Sequence, residues 1–235
     1  MISFFHRLLA SLVVCLATAA AAVELPGSIK AELRVAATDI AGNHHTLWLR
    51  TGPERDPLEV PLNVRTFSTP ITYEGLPQAQ FFANAASARA AEPTEKPLLS
   101  TTLVAGSTLL VFVPSDDNYR ALPISGSDFP FGSFRFANLT RAMVRAEVGK
   151  EAVNLEPGES QSFRYSQDQP SIGVRLYSKT QDKGVRLLRQ SNWSISLAQR
   201  ELVLFFVNPA SGLIQARHFV DSQAPQSEVA AVPAP

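Results

Sequence analysis

The sequence predicts an all-β protein, an antiparallel β-sandwich built as two packed β domains, on three observations. Apolar residues recur at every second position over most of the 235-residue chain, the period of a half-buried strand. Clusters of Gly, Pro, Asn and Asp interrupt these runs about every ten residues, as the short strands of a sandwich require. Two runs are apolar throughout, residues 109–113 (LLVFV) and 202–207 (LVLFFV), and each reads as a strand covered on both faces. One such run in each half argues for two domains, over residues 23–114 and 115–221, meeting near Pro114.

In the first half, Ile29, Ala31, Leu33, Val35 and Ala37 alternate with Lys30, Glu32, Arg34 and Ala36, a strand with one polar face. Leu47 and Leu49 flank Trp48 in a second strand, and Leu58, Val60, Leu62 and Val64 form a third. Pro61 cannot donate to a ladder, which places that third strand at a sheet edge. Gly42-Asn43 and residues 51–56 (TGPERD) supply the turns. Residues 83–95 (ANAASARAAEPTE) are rich in Ala, and Pro93 and Pro97 stop any helix there. A helical turn and then an irregular connection are expected over 83–97, at a domain boundary or a long crossing between sheets.

Residues 98–103 and 109–113 continue as strands around Gly106, and residues 114–130 read as a polar loop. Phe134 and Phe136 alternate around Arg135, residues 144–148 follow, and Glu156-Pro157-Gly158-Glu159 has the composition of a β-turn. Phe163 and Tyr165 flank Arg164. Ile172, Val174 and Leu176 lead to a hairpin loop at 181–184 (QDKG), where Gly184 suits a left-handed conformation. Residues 185–190 return, Trp193, Ile195 and Leu197 alternate with serines, residues 198–201 (AQRE) turn, and 213–220 follow the turn 208–212 (NPASG). These last four strands read as a meander. Residues 222–235 carry no aromatic side chain and read as a disordered tail.

Composition narrows the class. At 45% hydrophobic and 18% charged, the chain is too apolar for general disorder. Its 21 basic and 21 acidic residues lack the basic footprint of a nucleic-acid binder. A single Cys excludes a disulfide framework and a thiolate zinc site. The N-terminus has the layout of a secretory signal peptide over residues 1–22: Arg7, then the apolar run 8–17, then small residues. Ala20 and Ala22 satisfy the small-x-small rule, so cleavage is expected between Ala22 and Val23. The apolar run is shorter than the roughly 20 residues a spanning helix needs, and Glu24 and Pro26 follow at once, so no transmembrane anchor is expected after cleavage. Cys15 follows Val14 inside the run, unlike the Cys of a lipobox. The expected product is periplasmic or extracellular, free of Cys, with 20 basic and 21 acidic residues and a formal charge of −1.

Candidate chemistry is sparse. His44 and His45 are adjacent and would face opposite sides of a strand, so they make a poor metal pair. His218 would serve a hydrolase only beside a buried acid and a serine. Asp116, Asp117, Asn118 and Asp128 offer oxygen ligands, but at no EF-hand spacing, and read as turn formers. Neither a metal nor another cofactor is expected. Asn138 and Asn192 begin N-x-S/T patterns. Trp48 and Trp193 read as core, and Arg34, Arg175 and Arg186 as solvated faces. Tyr119 and Phe129 in the 114–130 segment, and Phe131 just after it, could stack on a sugar ring or grip a partner, but read first as plugs for the open end of the sandwich.

Residues 134–160 include Asn138-Leu139-Thr140 and Leu155-Glu156-Pro157-Gly158-Glu159. This pattern resembles exported bacterial immunoglobulin-like β-sandwich domains. The resemblance implies that fold and carries no catalytic residue. The expected function is therefore a non-enzymatic module of the cell envelope that binds a protein or assembles there. The alternative is a carbohydrate- or polymer-binding module using Tyr119, Phe129 and Phe131. The expected partner is accordingly an envelope protein or a polysaccharide, and not nucleic acid.

Overall fold

The computed structural model describes residues 27–223, apart from residues 116–117 and 181–183. The targeting segment with its cut between Ala22 and Val23, the Asp116-Asp117 pair and residues 224–235 lie outside the described residues.

The alternating runs become strands, and the fold is all-β. The first half holds β1 (Ile29–Ala37), β2 (Thr46–Leu49), β3 (Leu58–Pro61), β4 (Ile71–Gly75), β5 (Gln78–Phe82), β6 (Leu99–Thr102), β7 (Gly106–Ser115) and β8 (Asn118–Ser125). They form two sheets, ordered β4-β1-β7-β8 and β3-β2-β5-β6. The second half holds β9 (Ser133–Asn138), β10 (Met143–Val148), β11 (Glu151–Leu155), β12 (Ser160–Arg164), β13 (Gln169–Thr180), β14 (Gly184–Ile195), β15 (Gln199–Val207) and β16 (Ile214–Ser222). Their sheets are ordered β12-β9-β15-β16 and β11-β10-β13-β14. Adding eight to each strand number of the first half reproduces the second, so the chain folds one topology twice. Pairing directions match as well: β1 runs parallel to β7 and β9 parallel to β15, and the other pairs are antiparallel. Even single bonds recur. Ala37 N donates to Asn63 O and Thr38 N to Phe112 O, while Asn138 N donates to Glu159 O and Leu139 N to Phe205 O.

Each half is a sandwich. Leu33, Val35, Leu47, Phe81 and Phe112 fill the first, and Phe134, Phe136, Val174, Leu176, Val203 and Phe205 the second. A third core joins the halves face to face: Ala36, Leu109, Val111 and Ile124 pack with Ala137, Leu202, Leu204 and Phe219. The layers are therefore four sheets deep. β7 and β15 lie in the two middle sheets, covered on both faces, which is why their sequences are continuously apolar. Each fully buried Leu, Val or Phe there contributes about 1.5–3 kcal/mol of transfer free energy. Pro61 lies in β3, an edge strand, as its missing N–H demands.

Four local expectations are corrected. Residues 114–130 are not one loop, because β8 runs through them and pairs with β7 from Thr108–Ser125 to Ser115–Asn118. Tyr119 and Ile124 point into cores, and Pro123 is tolerated because β8 is an edge. The sheets thus change between Ser125 and Ser133. Residues 83–97 neither divide domains nor cross between sheets, since β5 and β6 on either side are neighbours in one sheet. A helical turn, α1 (Ala85–Arg89), does form, capped by Asn84 Oδ1, which accepts from Ser87 N at 2.8 Å. Residues 198–201 are not simply a turn: β15 begins at Gln199, and Arg200 and Glu201 are buried in it. The last four strands are two hairpins in facing sheets rather than a meander.

The two pieces that carry the resemblance clasp each other. Asn138 is fully buried and uses its whole amide: Nδ2 donates to Ala142 O at 2.8 Å and Leu155 O at 3.0 Å. Its Oδ1 accepts from Thr140 N at 2.9 Å and Thr140 Oγ1 at 2.8 Å. Gly158 N donates to Asn138 O at 2.9 Å, and Gly158 holds φ at +82°, a value glycine reaches without strain.

Candidate functional site

A sheet edge exposes unpaired backbone donors and acceptors, and proteins usually keep such edges short or covered. The repeated topology makes the comparison internal. In the first half, the edge strand β6 has four residues, and Leu98 O just before it accepts Tyr119 N at 3.2 Å. Its counterpart β14 has twelve residues and lies at the end of its sheet, beside β13 alone. Val185 and Leu187 on β14 are 67% and 48% exposed. The far end of β14 is secured: Trp193 stacks on His218 of β16 with ring centroids 3.9 Å apart and planes 9° from parallel. Between Tyr177–Leu187 and Leu176–Arg189 the register shifts, leaving Leu188 as the extra residue of a bulge.

Toward the hairpin tip the facing sheets leave an open groove of about 920 Å³ between β13–β14 and the β15–β16 turn. Met143, Val207, Leu213 and Ile214 supply apolar walls, with Val207 and Leu213 substantially exposed. Arg141, Lys179 and Arg186 line it too, and Glu156 is the one carboxylate among the lining residues. The surrounding sequence is basic: residues 133–222 hold 12 Lys and Arg against 8 Asp and Glu, whereas residues 27–125 hold 8 against 10.

The aromatic trio does not assemble. Tyr119 lies in the first core, where its hydroxyl accepts Ala41 N at 2.8 Å, and Phe129 lies in the third core. Phe131 is half-buried under the Arg200 guanidinium, 4.6 Å from ring centroid to Cζ. No sugar-stacking platform arises from rings placed this way. His44 and His45 sit in the turn before β2. Among the described residues no group of three or more His, Cys, Asp or Glu could hold a metal. Asn138 is buried, whereas Asn192 is exposed.

Two buried polar clusters were not foreseen. Arg34, expected on a solvated face, bonds across the halves to Asp221 of β16 and donates to Ser222 O at 3.2 Å. Arg200 Nε donates to the other Asp221 oxygen at 2.7 Å, and its Nη1 to Phe129 O at 2.8 Å. The second half covers the polar face of β1 at Arg34 and Ala36 and makes an interface there, while Lys30 and Glu32 on the same face stay exposed. The second cluster joins His218 Nε2 to Glu201 Oε2 at 2.7 Å. Glu201 Oε1 and Trp193 Nε1 are buried with no hydrogen-bond partner among the described residues. Arg200-Glu201 directly before an apolar run was the one sequence signal for both clusters: a charged pair at the mouth of a two-faced buried strand must be partnered.

Tyrosine burial has a measurable consequence. Burial raises Tyr73 to about 12 and also raises Tyr119 and Tyr165, with Glu201 and Asp168 adding to the effect at Tyr165. Phenols that ionise later in the folded chain stabilise it fully below the unfolded value of about 10, and lose that contribution as pH rises through the folded values. An alkaline titration followed at 295 nm should therefore show these phenolates appearing late, together with loss of native circular dichroism. Their ionisation near pH 10 in a folded chain would contradict the burial.

Comparison with known proteins adds little. No protein-family model and no curated protein matches the chain. Among solved structures it is similar to a leucine-rich repeat protein from Bacteroides thetaiotaomicron, at 8% identity and a TM-score of 0.15. That match covers 76% of this chain and 26% of the other, so the chain spans about a quarter of that protein's length. Any likeness to known proteins stays weak and at the level of fold. No helix among the described residues is long and apolar enough to cross a membrane.

Proposed function

We propose that this protein is an exported, non-enzymatic module of the cell envelope that binds another protein by accepting an extended segment along β14. The carrying observation is the contrast between equivalent edges: four residues at β6 and twelve at β14, with Val185 and Leu187 exposed. Strand addition draws affinity from backbone hydrogen bonds and specificity from pockets for alternate side chains, and the groove beside β14 supplies such a pocket. Export rests on the signal-peptide layout of residues 1–22. A hydrolytic reading has less support. His218 does lie beside a buried acid, but its hydrogen bond goes to Glu201 and its ring face to Trp193, with no serine among its side-chain partners.

Photo-cross-linking in the native host tests this. A photoreactive residue is placed in turn at Leu187, Gln190 and Ser194 of β14, with Thr101 of β6 as control. The expected result is cross-linking from β14 to one segment of one protein, stepping along that segment as the probe steps along the strand. Cross-links that scatter, or that are no more frequent than at Thr101, would overturn the proposal.

A further inference from the structure

We infer that the segment β14 accepts comes from a different protein and is acidic, with apolar residues at every second position. The inference rests on the strand-acceptor reading above and specifies the partner's chemistry.

Alternation follows from the geometry of the edge. A strand added beside β14 continues the β11-β10-β13-β14 sheet, so its side chains fall in turn on the sheet's two faces. One face borders the groove walled by Val207, Leu213 and Ile214. The other continues the outer surface, where Val185 lines a smaller depression of about 300 Å³ with Met143 and Tyr177. The groove therefore takes the apolar positions of the segment, and the alternate positions fall on the outer face beside Lys179. Charge then selects among occupants. Arg141, Lys179 and Arg186 around the groove face one carboxylate, Glu156. Arg189 adds a further exposed cation on β14, whereas Arg145 and Arg175 are already paired with Glu147. A second copy of this chain, paired edge to edge through β14, would bring two sets of Arg186 and Arg189 onto one short stretch of sheet. Like charges so placed destabilise a strand pair. Carboxylates on the incoming segment instead meet cations that have no carboxylate partner among the described residues, at an exposed rim where such charges govern association rate and partner choice.

The probes are acetylated, amidated peptides of alternating Glu and Val, their Lys-for-Glu counterparts, and Glu–Val peptides N-methylated at every second residue on one edge or the other. Binding to the mature full chain is read by fluorescence anisotropy. The Glu–Val peptide is expected to bind roughly tenfold or more tightly than the Lys–Val peptide, with the preference shrinking as salt rises. N-methylation along one edge should abolish binding and along the other should not, since only one edge faces β14. The exposed substitutions K179E and R186E should reverse the preference with the thermal transition unchanged. Equal binding of the acidic and basic peptides, both blocked by N-methylation, would overturn the charge inference while leaving strand addition standing. Binding of the Glu–Val peptide that ignores N-methylation on either edge, or no binding of any peptide, would overturn the inference. A dimer in solution that is lost on L187K would overturn it in favour of a second copy.

Discussion

Asp221→Ala is expected to lower folding stability by about 3–5 kcal/mol, the usual effect of breaking a buried ion pair from one side. The Asp221 carboxylate is 1% exposed and lies between Arg34 of the first half and Arg200 of the second. Removing it leaves the Arg200 guanidinium, 4% exposed, with only the Phe129 carbonyl and two aromatic rings as partners among the described residues. Arg34 is 18% exposed and can turn partly to water, so Arg34→Ala should cost much less. Urea denaturation of the mature chain measures both. The triple replacement R34M/R200M/D221L removes every charge at once and should recover most of the loss, because apolar groups of similar volume often match a buried charge network. This variant keeps the prediction testable even where Asp221→Ala fails to fold. A loss under about 1 kcal/mol for Asp221→Ala would mean the cluster behaves as a solvated surface pair.

Asn138→Asp is expected to be nearly as costly although it changes hardly any volume. The Asn138 amide donates to two carbonyl oxygens, of Ala142 and Leu155, in a fully buried site. A carboxylate there turns two donors into acceptors, leaving those carbonyls opposed rather than satisfied, at about 1–3 kcal/mol per buried group. The combined loss should reach about 3 kcal/mol or more. Asn138→Ala, which also strips Thr140 N of its acceptor and leaves Thr140 Oγ1 only Ala142 O, should fall in the same range. A shift of less than about 1 kcal/mol for both variants would show that the clasp is open to water.

Only the pieces of that clasp are legible in the sequence: Asn138-Leu139-Thr140 and Leu155-Glu156-Pro157-Gly158-Glu159 carry the resemblance, but their contact comes from the fold. Strands over 29–37, 109–113 and 202–207 are legible for a related reason. Their residues alternate, or fail to, according to how many faces are covered, and coverage leaves its mark residue by residue. β8 is not legible because Asn118, Arg120 and Pro123 score as loop residues, and only the pairing partner β7 makes a strand of them. The groove was invisible as well, since its walls come from residues 141–143, 156–157, 178–179, 184, 186, 207 and 212–214, joined only by the packing of two sheets.

Chain chemistry alone determined that this protein is all-β, because the period of apolar residues is a local property that each segment states by itself. Only the tertiary structure decided that one topology is folded twice, that the second half covers the end of β1's polar face, and that Arg34 is therefore an interface ion rather than a solvated one. It also decided that β14 is left long and open while its counterpart β6 is short and covered. Those outcomes depend on which faces meet, and a face acquires its partner from residues distant in sequence, whose identities no local pattern encodes.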